Sequence, residues 1–417
     1  MPKTNANQAR PTLTVAALCL GYAVFAVLLN SVGTVILQSV TAFGVDNVAA
    51  STLEACKDLT IAIVSFAIAA QVPRLGMKRA MLAGLGFAAA GCVTMALADA
   101  FWAARVLFVC VGVGFALMKV AVYGSVGVLA EDTAHHARLL GIIEAAFMAA
   151  VVAASWIFAA FIDPLAPASP SWLHVYWWLA GACGVTALVT LAAPIGDPPR
   201  DDTAAERRST AAMFALLRRA TVLVFVAAVF LYVFIEQGIG TWLPTINHTA
   251  LRLDGQLAVQ AASAFAVSIA LGRLAAGLIV VRTGWFPLLL CCLIGMAAII
   301  AVVPWLVSAE APHAAITRWA DVPAAALLLP AIGFFMAPIY PTLNSVVLTT
   351  VPKARQAGLI GLIVVFSALG GTTGSRLVAV LFAAIPDARV LWCLLAPIAV
   401  LILAVLGLRV LAARERG

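Results

Sequence analysis

The sequence predicts an all-α polytopic membrane protein with twelve transmembrane helices arranged as two six-helix bundles. Its 417 residues are 64% hydrophobic and only 10% charged, whereas a soluble domain of ordinary composition carries about 25% charged residues. The mean hydropathy is +1.09, and the apolar residues form runs of about 20, the length that a membrane-spanning helix needs. The runs lack the two-residue alternation of membrane β-barrel strands. A water-soluble domain and a β-barrel are therefore both excluded.

Twelve apolar runs give the predicted spans. The first six are expected near Leu13–Gln38, Ala49–Val72, Ala80–Leu97, Val106–Ala130, Leu139–Ile162 and Trp172–Ala193. The second six are expected near Thr221–Pro244, Leu257–Val281, Phe286–Leu306, Val322–Val347, Gly358–Ala384 and Val390–Val410. Span two opens with charged residues, so its membrane-embedded part begins either before Glu54 or after Asp58.

The distribution of basic residues predicts the orientation. If the N-terminus is cytoplasmic, 17 of the 25 Lys and Arg residues lie in cytoplasmic segments and 4 lie on the opposite side. Cytoplasmic loops of membrane proteins carry such an excess. We therefore expect a multi-pass protein of the cytoplasmic (inner) membrane with both termini in the cytoplasm. The net charge of +7 then reflects topology, and no nucleic-acid partner is needed to explain it.

A polar linker divides the spans six and six. It covers residues 195–220, which predicts an N-terminal bundle over 1–194 and a C-terminal bundle over 221–417. A short basic turn also recurs, because both Arg74 and Arg282 and both Gly76 and Gly284 are 208 positions apart. A six-span repeat at half the chain length is typical of transporters whose two bundles rock about a central site.

This repeated turn resembles the signature of the major facilitator superfamily, Gly-x-x-x-Asp-Arg-x-Gly-Arg/Lys-Arg/Lys, between spans two and three. The matching residues, predicted as a gating motif, are Arg74, Gly76 and Lys78 in the first copy and Gly277, Arg282 and Gly284 in the second. Pro73 and Val281 replace the family's aspartate, so its usual charge-based gating is not expected here. The resemblance implies a secondary active transporter and not an enzyme.

Two segments resemble the fucose–proton symporter branch of that superfamily, namely Gly333–Thr342 in span ten and Trp242–Thr245 in span seven. Sugar symporters of that branch carry a carboxylate in span four, where this chain has Lys119. The Gly-x-x-x-Gly-Pro pattern of drug–proton antiporters is missing from span five. A sugar–proton symporter and a drug–proton antiporter therefore remain alternatives to the main prediction.

Eight charged residues inside the predicted spans are the candidate substrate or coupling residues. They are the acids Glu54, Asp58, Glu144 and Glu236 and the bases Lys57, Lys119, Arg273 and Arg376. Each costs at least about 2.5 kcal/mol at membrane depth, so such groups face a cavity, pair with one another or carry protons. Glu236 and its neighbour Gln237 precede two glycines, and Glu236 is the favoured proton-coupling residue. Asn30 in span one is a further candidate.

Structural explanations compete with each functional one. Lys119 either attracts an anionic solute group or forms a structural pair with Glu144 or Asp58. Glu144 either closes an inner gate or reaches the membrane surface. Arg273 is expected to serve packing and gating, and Arg376 either functions or extends to the outer surface. Tyrosines such as Tyr22 could line the cavity or serve only as packing residues.

Other chemistry is not predicted. The eight cysteines and five histidines show no metal-ligand spacing, so no metal or cofactor is expected. No phosphate-binding Gly-Lys-Ser/Thr loop is present, so the energy is expected to come from an ion gradient. The predicted function is proton-coupled transport of a small polar, anionic solute such as a siderophore or another carboxylate metabolite, with export slightly favoured. The expected partners are the solute, protons and the lipid bilayer, and the protein is expected to be a monomer.

Overall fold

Helices account for nearly all of the chain that the computed structural model describes, which comprises residues 9–68, 75–197, 210–309, 314–348, 351–385 and 387–414. The helices of the first half are Ala9–Asn30, Val32–Phe43, Asn47–Ala50, Thr52–Ile68, Met77–Ala98, Phe101–Leu129, Thr133–Ala159 and Val175–Ala192. A 3-10 turn, Pro170–His174, leads into the last of these. The predicted spans one to six therefore all correspond to helices.

The second half begins with the short helix Thr210–Ala215 and the 3-10 turn Leu216–Arg218. Its further helices are Ala220–Gly240, Leu243–Thr249, Gly255–Thr283, Trp285–Ala309, Ala324–Leu328, Ile332–Met336, Ile339–Leu348, Lys353–Ala384 and Leu395–Arg414, with 3-10 turns at Trp319–Asp321 and Ala388–Leu394. Span ten was predicted as one helix and is three, because Pro330 and Pro338 lack the N–H that would continue the ladder.

Within the described residues, eleven helices are long and apolar enough to cross a membrane. The predicted second span is the exception. Its helix is described over Thr52–Ile68, which is 17 residues. Ala49 and Ala50 belong to the preceding short helix, and residues 69–72 fall outside the described part. The chain is thus an all-helical polytopic membrane protein, as its composition predicted.

The chain contacts divide into two compact units. One comprises Met1–Val35 and Cys56–Ala205, and the other comprises Ile36–Ala55 and Glu206–Gly417. The end of span one and the beginning of span two therefore belong to the second unit, although they lie in the first half of the sequence. The hydrophobic pattern of the sequence does not indicate that Ile36–Ala55 belongs to the second unit, because this assignment depends on contacts with residues far along the chain.

Glycines allow neighbouring helices to approach closely within each unit. In the first, a Cβ on Gly84 of span three would lie 2.7 Å from the Gly114 carbonyl oxygen of span four. In the second, a Cβ on Gly374 of span eleven would collide with the Phe234 carbonyl oxygen of span seven. Small residues at such contacts let helix backbones pack tightly in lipid, where the hydrophobic effect does not hold helices together.

Replacement of Gly84 by Leu should disrupt the first unit. The backbone of span four cannot yield to the new side chain, and even an adaptable overpacked site loses about 1–3 kcal/mol. We expect loss of the monodisperse peak in size-exclusion chromatography of the detergent-solubilised protein. Gly86→Leu on the same helix is the matched control, because no atom lies within 4 Å of its added Cβ. Equal behaviour of the two variants would contradict the close contact.

Candidate transport site

The first charged cluster lies in the first unit on spans four and five. The Tyr123 hydroxyl donates a hydrogen bond to Glu144 Oε1 at 3.0 Å, and the Lys119 ammonium interacts electrostatically with the same carboxylate. The Lys119 side chain has accessible surface. Of the two pairings predicted for Lys119, the geometry favours Glu144, because Asp58 pairs with Lys57.

Aromatic rings surround this charged cluster. The Tyr22 ring of span one lies 5.3 Å from the Phe147 ring and 6.4 Å from the Tyr123 ring, between centroids. The Lys119 Nζ lies 5.9 Å from the centroid of the Phe115 ring, near the outer limit of a cation–π contact. Three spans thus converge on one amphipathic site that offers a cation, a carboxylate and several ring faces.

The second charged cluster lies in the second unit on spans seven, eight and ten. The Tyr232 hydroxyl donates to Glu236 Oε1 at 3.1 Å and interacts electrostatically with Arg273. The Tyr340 ring lies 5.8 Å from the Tyr232 ring, and the Tyr340 hydroxyl lies 3.5 Å from Ser367 Oγ. The predicted coupling residue Glu236 therefore lies beside a tyrosine pair, and Arg273 interacts with the tyrosine that holds it.

The two clusters share one plan. Each unit pairs a tyrosine of its first span with a tyrosine of its fourth, Tyr22 with Tyr123 in one and Tyr232 with Tyr340 in the other. Tyr22 and Tyr232 are 210 positions apart, close to the 208 of the repeated turn. In each unit one tyrosine donates to a glutamate. The two units therefore share the tyrosine pair, whereas the glutamate lies on span five in the first unit and on span seven in the second.

Glu54 forms a third polar site, within the second unit. Its carboxylate is fully buried and accepts hydrogen bonds from Gln237 Nε2 at 2.9 Å and from Thr241 Oγ1 at 3.0 Å. Thr241 lies at the break between the two helical segments of span seven, one turn beyond Gln237. Buried polar groups are normally hydrogen-bonded, and these two donors satisfy the Glu54 carboxylate.

Arg376 lies against the same N-terminal segment. Its guanidinium donates to the Val48 carbonyl oxygen and, at 3.2 Å, to Ser51 Oγ. Together, Glu54 and Arg376 attach the segment Ile36–Ala55 to spans seven and eleven of the second unit. We call this arrangement the clasp. It gives Arg376 two protein partners, a backbone carbonyl and a serine hydroxyl.

Loss of one clasp donor should destabilise the second unit. Thr241→Val leaves a lone pair of the buried Glu54 carboxylate unsatisfied, which costs about 1–3 kcal/mol. We expect a lower melting temperature in detergent than for the wild type. Thr373→Val is the control, because the exposed Thr373 hydroxyl donates only to carbonyls of its own helix. An unchanged melting temperature for Thr241→Val would contradict a stabilising role for the bond.

Three other predicted residues have local partners. Lys57 Nζ lies 3.5 Å from Asp58 Oδ1 in the first unit, with both side chains largely buried. This ion pair neutralises two charges inside one helix. The Asn30 side chain donates to the Ala26 carbonyl oxygen one turn earlier in its own helix. That bond pairs the Asn30 amide group with the backbone where its helix ends, before the turn at Ser31. It gives no indication of a ligand contact for Asn30.

The predicted gating motif has a backbone explanation at its glycines. Gly76 has φ +93° and Gly284 has φ +76°, and each immediately precedes a helix, Met77–Ala98 or Trp285–Ala309. Side chains rarely tolerate such angles, so both copies need glycine at this turn. Gly277 has no atom near an added Cβ, and Arg282 is exposed at the end of its helix. Arg74 lies outside the described residues.

Asp197 supplies a carboxylate to the first copy of the motif. Its Oδ1 accepts a hydrogen bond of 2.6 Å from the Met77 N–H, the first residue of span three. Lys78 makes the reciprocal contact, because its Nζ donates to the carbonyls of Leu191 and Ala193 at 2.6 and 3.0 Å, where span six ends. An anion thus caps one helix N-terminus and a cation caps the neighbouring C-terminus, as the helix dipoles favour.

Replacement of Asp197 by Ala should weaken the junction between spans three and six. Loss of an N-terminal cap costs about 1 kcal/mol, and we expect a correspondingly lower melting temperature in detergent. Asp321→Ala, in the exposed turn Trp319–Asp321, is the control. If Asp197→Ala melts with the wild type, the cap contributes nothing to stability.

Several residues of these sites escaped the sequence prediction. Thr241 and Asp197 gave no local signal, because their partners are 187 and 120 positions away. Phe115 and Phe147 resemble ordinary packing residues of an apolar span, although the i, i+4 spacing of Phe115 and Lys119 was available as a signal. A search of the described residues finds no group of His, Cys, Asp or Glu suited to a metal ion.

Two helical units built on one repeat, with charged clusters inside their spans, define a polytopic membrane transporter. The chain belongs to the Major Facilitator Superfamily, whose model matches residues 18–375. The predicted family is therefore confirmed, and it is a family of transporters and not of enzymes. Among curated proteins, none matches this chain in sequence.

Solved structures of other transporters share the fold. The fucose:proton symporter of E. coli has 17% sequence identity and a TM-score of 0.61, with 95% of this chain and 98% of that chain covered. The nucleoside transporter NupG has 14% identity and a TM-score of 0.74, with 95% and 99% covered. A POT family transporter in complex with 5-aminolevulinic acid has 14% identity and a TM-score of 0.71, with 98% and 97% covered. Identities this low establish the fold alone.

Proposed function

We propose that this protein is a proton-coupled secondary active transporter that moves a small polar, anionic solute across the cytoplasmic membrane by alternating access, with export favoured over import. The observation that carries the proposal is the charged cluster in each unit, Lys119 with Glu144 in the first and Glu236 and Arg273 about Tyr232 in the second. Charges at membrane depth are costly to insert. Their retention beside tyrosine hydroxyls is explained if they bind an anion and a proton.

Lys119 is the proposed anchor for the solute. Among the described residues, no hydrogen bond or ion pair with its ammonium is found, and its side chain is accessible. Glu144 supplies the opposite charge without occupying the ammonium, and the Tyr123 hydrogen bond holds that carboxylate. A solute carboxylate can therefore take the place of Glu144 as the counter-charge of Lys119, which favours an anionic over a neutral solute.

Glu236 is the proposed proton carrier. Its carboxylate is half-buried and accepts from Tyr232, so it is reachable and also held in position. Arg273 interacts electrostatically with the same Tyr232 hydroxyl, so a positive charge lies in the cluster that holds Glu236. Export by proton antiport is favoured over proton symport, because span four has Lys119 where the resemblance to sugar symporters implies a carboxylate. A siderophore or another carboxylate metabolite fits this site chemistry.

The alternative is a sugar–proton symporter. It is supported by the fold shared with the fucose:proton symporter and by the similar segments in spans seven and ten. It predicts neutral sugars as ligands. A ligand present at 100 times its dissociation constant stabilises a protein by about 2.7 kcal/mol, so a melting-temperature screen of the detergent-solubilised protein against sugars, carboxylates, siderophores and drugs separates the candidates. Stabilisation by anions supports the proposal, and stabilisation by sugars alone overturns it.

The proposal also covers orientation and oligomeric state. The excess of Lys and Arg in alternate loops supports two cytoplasmic termini in the inner membrane, and each unit carries a charged cluster of its own, which is compatible with a monomer. Protease protection of a C-terminal tag in right-side-out vesicles tests the orientation. Cleavage of the tag from the outside would contradict it.

A further inference from the structure

The side chains around Lys119 form a stripe along span four. Phe115, Lys119 and Tyr123 follow one another at intervals of four residues, so they lie on one helix face and rise by about 6 Å from each to the next. Tyr123 is 41% exposed, Lys119 is exposed and Phe115 is half-buried. The face therefore presents a cation with an aromatic ring one turn away on each side.

Span five completes the same surface. Phe147 is half-buried, and its ring lies 6.4 Å from that of Phe115 between centroids. Glu144 lies one turn before Phe147 and holds the Tyr123 hydroxyl. The polar groups thus gather at Lys119, Tyr123 and Glu144, and the partly exposed apolar surface gathers at Phe115 and Phe147.

From this surface we infer the class of solute, an inference that rests on the proposed function: a monoanionic carboxylate attached through a short linker to an aromatic ring. The carboxylate binds Lys119 and the ring packs against Phe115 and Phe147, about one helical turn away. Aromatic rings prefer offset or edge-to-face contacts with their centroids about 4.5–7 Å apart. The Phe115 and Phe147 rings are already tilted by 38° at a centroid distance of 6.4 Å.

Other solutes fit the surface less well. A second carboxylate needs a second cation, and Lys57, the other base inside the predicted spans of the first unit, is paired with Asp58. A sugar needs many hydrogen-bond partners, but the Tyr123 hydroxyl is already committed to Glu144. A neutral ring leaves the Lys119 charge without an anion. Only an anion with a ring uses all parts of the stripe.

Binding of small probes to the purified full-length protein tests the inference. The probes are 3-phenylpropionate, the neutral 3-phenylpropanol, the ring-free butyrate and the dianion succinate, measured by isothermal titration calorimetry. We expect 3-phenylpropionate to bind about tenfold or more tightly than each of the others, because each lacks one of the two contacts or adds an unpaired charge. Equal affinity for 3-phenylpropanol or for butyrate would overturn the inference.

Variants distinguish binding at this site from non-specific partition of the probe into detergent. Phe115→Leu keeps an apolar side chain and loses the ring, and it should weaken 3-phenylpropionate binding by about fivefold. Phe87→Leu, an exposed ring on span three, should leave binding unchanged. Unchanged binding by Phe115→Leu would contradict the ring contact.

If other anions drive proton flux but no aryl carboxylate binds, the inferred solute class is wrong and the proposed function stands. If only neutral sugars bind, both the solute class and the proposed function are wrong.

Discussion

Replacement of Glu236 by Gln is expected to uncouple solute movement from the proton gradient. Gln keeps the size of the side chain and an acceptor for the Tyr232 hydroxyl, but it cannot bind and release a proton at physiological pH. In proteoliposomes, solute exchange between equal pH values should persist, whereas accumulation driven by a pH gradient should fall to the level of protein-free vesicles.

The control for this variant is Glu131→Gln, which changes an exposed glutamate outside the helices. It should accumulate solute as the wild type does. Accumulation that survives in Glu236→Gln would assign the proton to another residue. Loss of both exchange and accumulation would indicate a structural role for Glu236, which a lowered melting temperature of the variant would reveal.

Replacement of Lys119 by Met should strongly weaken the binding of anionic solutes. Met has a similar length and fits an aromatic surrounding, so the fold is retained while the cation is lost. A hydrogen bond to a charged group contributes about 1.5–3 kcal/mol, and its loss therefore weakens binding by about ten- to a hundredfold. Binding of the solute found in the melting-temperature screen, measured by calorimetry, provides the readout.

Lys119→Arg and Arg138→Gln complete this comparison. Arg keeps the charge in a wider, planar group, so we expect part of the affinity to remain. Arg138 is exposed and lies near the start of its helix, and its replacement should have no effect on binding. Unaltered affinity in Lys119→Met would exclude this lysine as the solute anchor.

Local sequence rules predicted the fold but only part of the site. Apolar runs located the spans because the bilayer fixes their length, and the 208-residue repeat marked two glycines that adopt positive φ in the structure. The charged residues inside the spans could be chosen as candidate site residues solely from the free-energy cost of placing a charge at membrane depth. The suggested pairing of Lys119 with Glu144 was consistent with their positions in neighbouring spans, and the structure brings the two together.

The parts that could not be predicted depend on distant contacts. Nothing near Asp197 indicates that it caps the helix beginning at Met77, since the two residues are 120 positions apart. Nothing in span two indicates that Glu54 meets a broken turn of span seven. In addition, the prolines that divide span ten act on backbone geometry, which hydropathy does not register. Chain topology, more than composition, sets these features.

The most direct test of the account is simultaneous measurement of solute and proton movement by the wild-type protein in proteoliposomes. A pH-sensitive dye inside the vesicles records proton flux after the anionic solute is added on one side under an imposed pH gradient. The account predicts proton flux that depends on the solute, saturates with its concentration and is lost in Glu236→Gln. Proton flux that is identical with and without solute would contradict it.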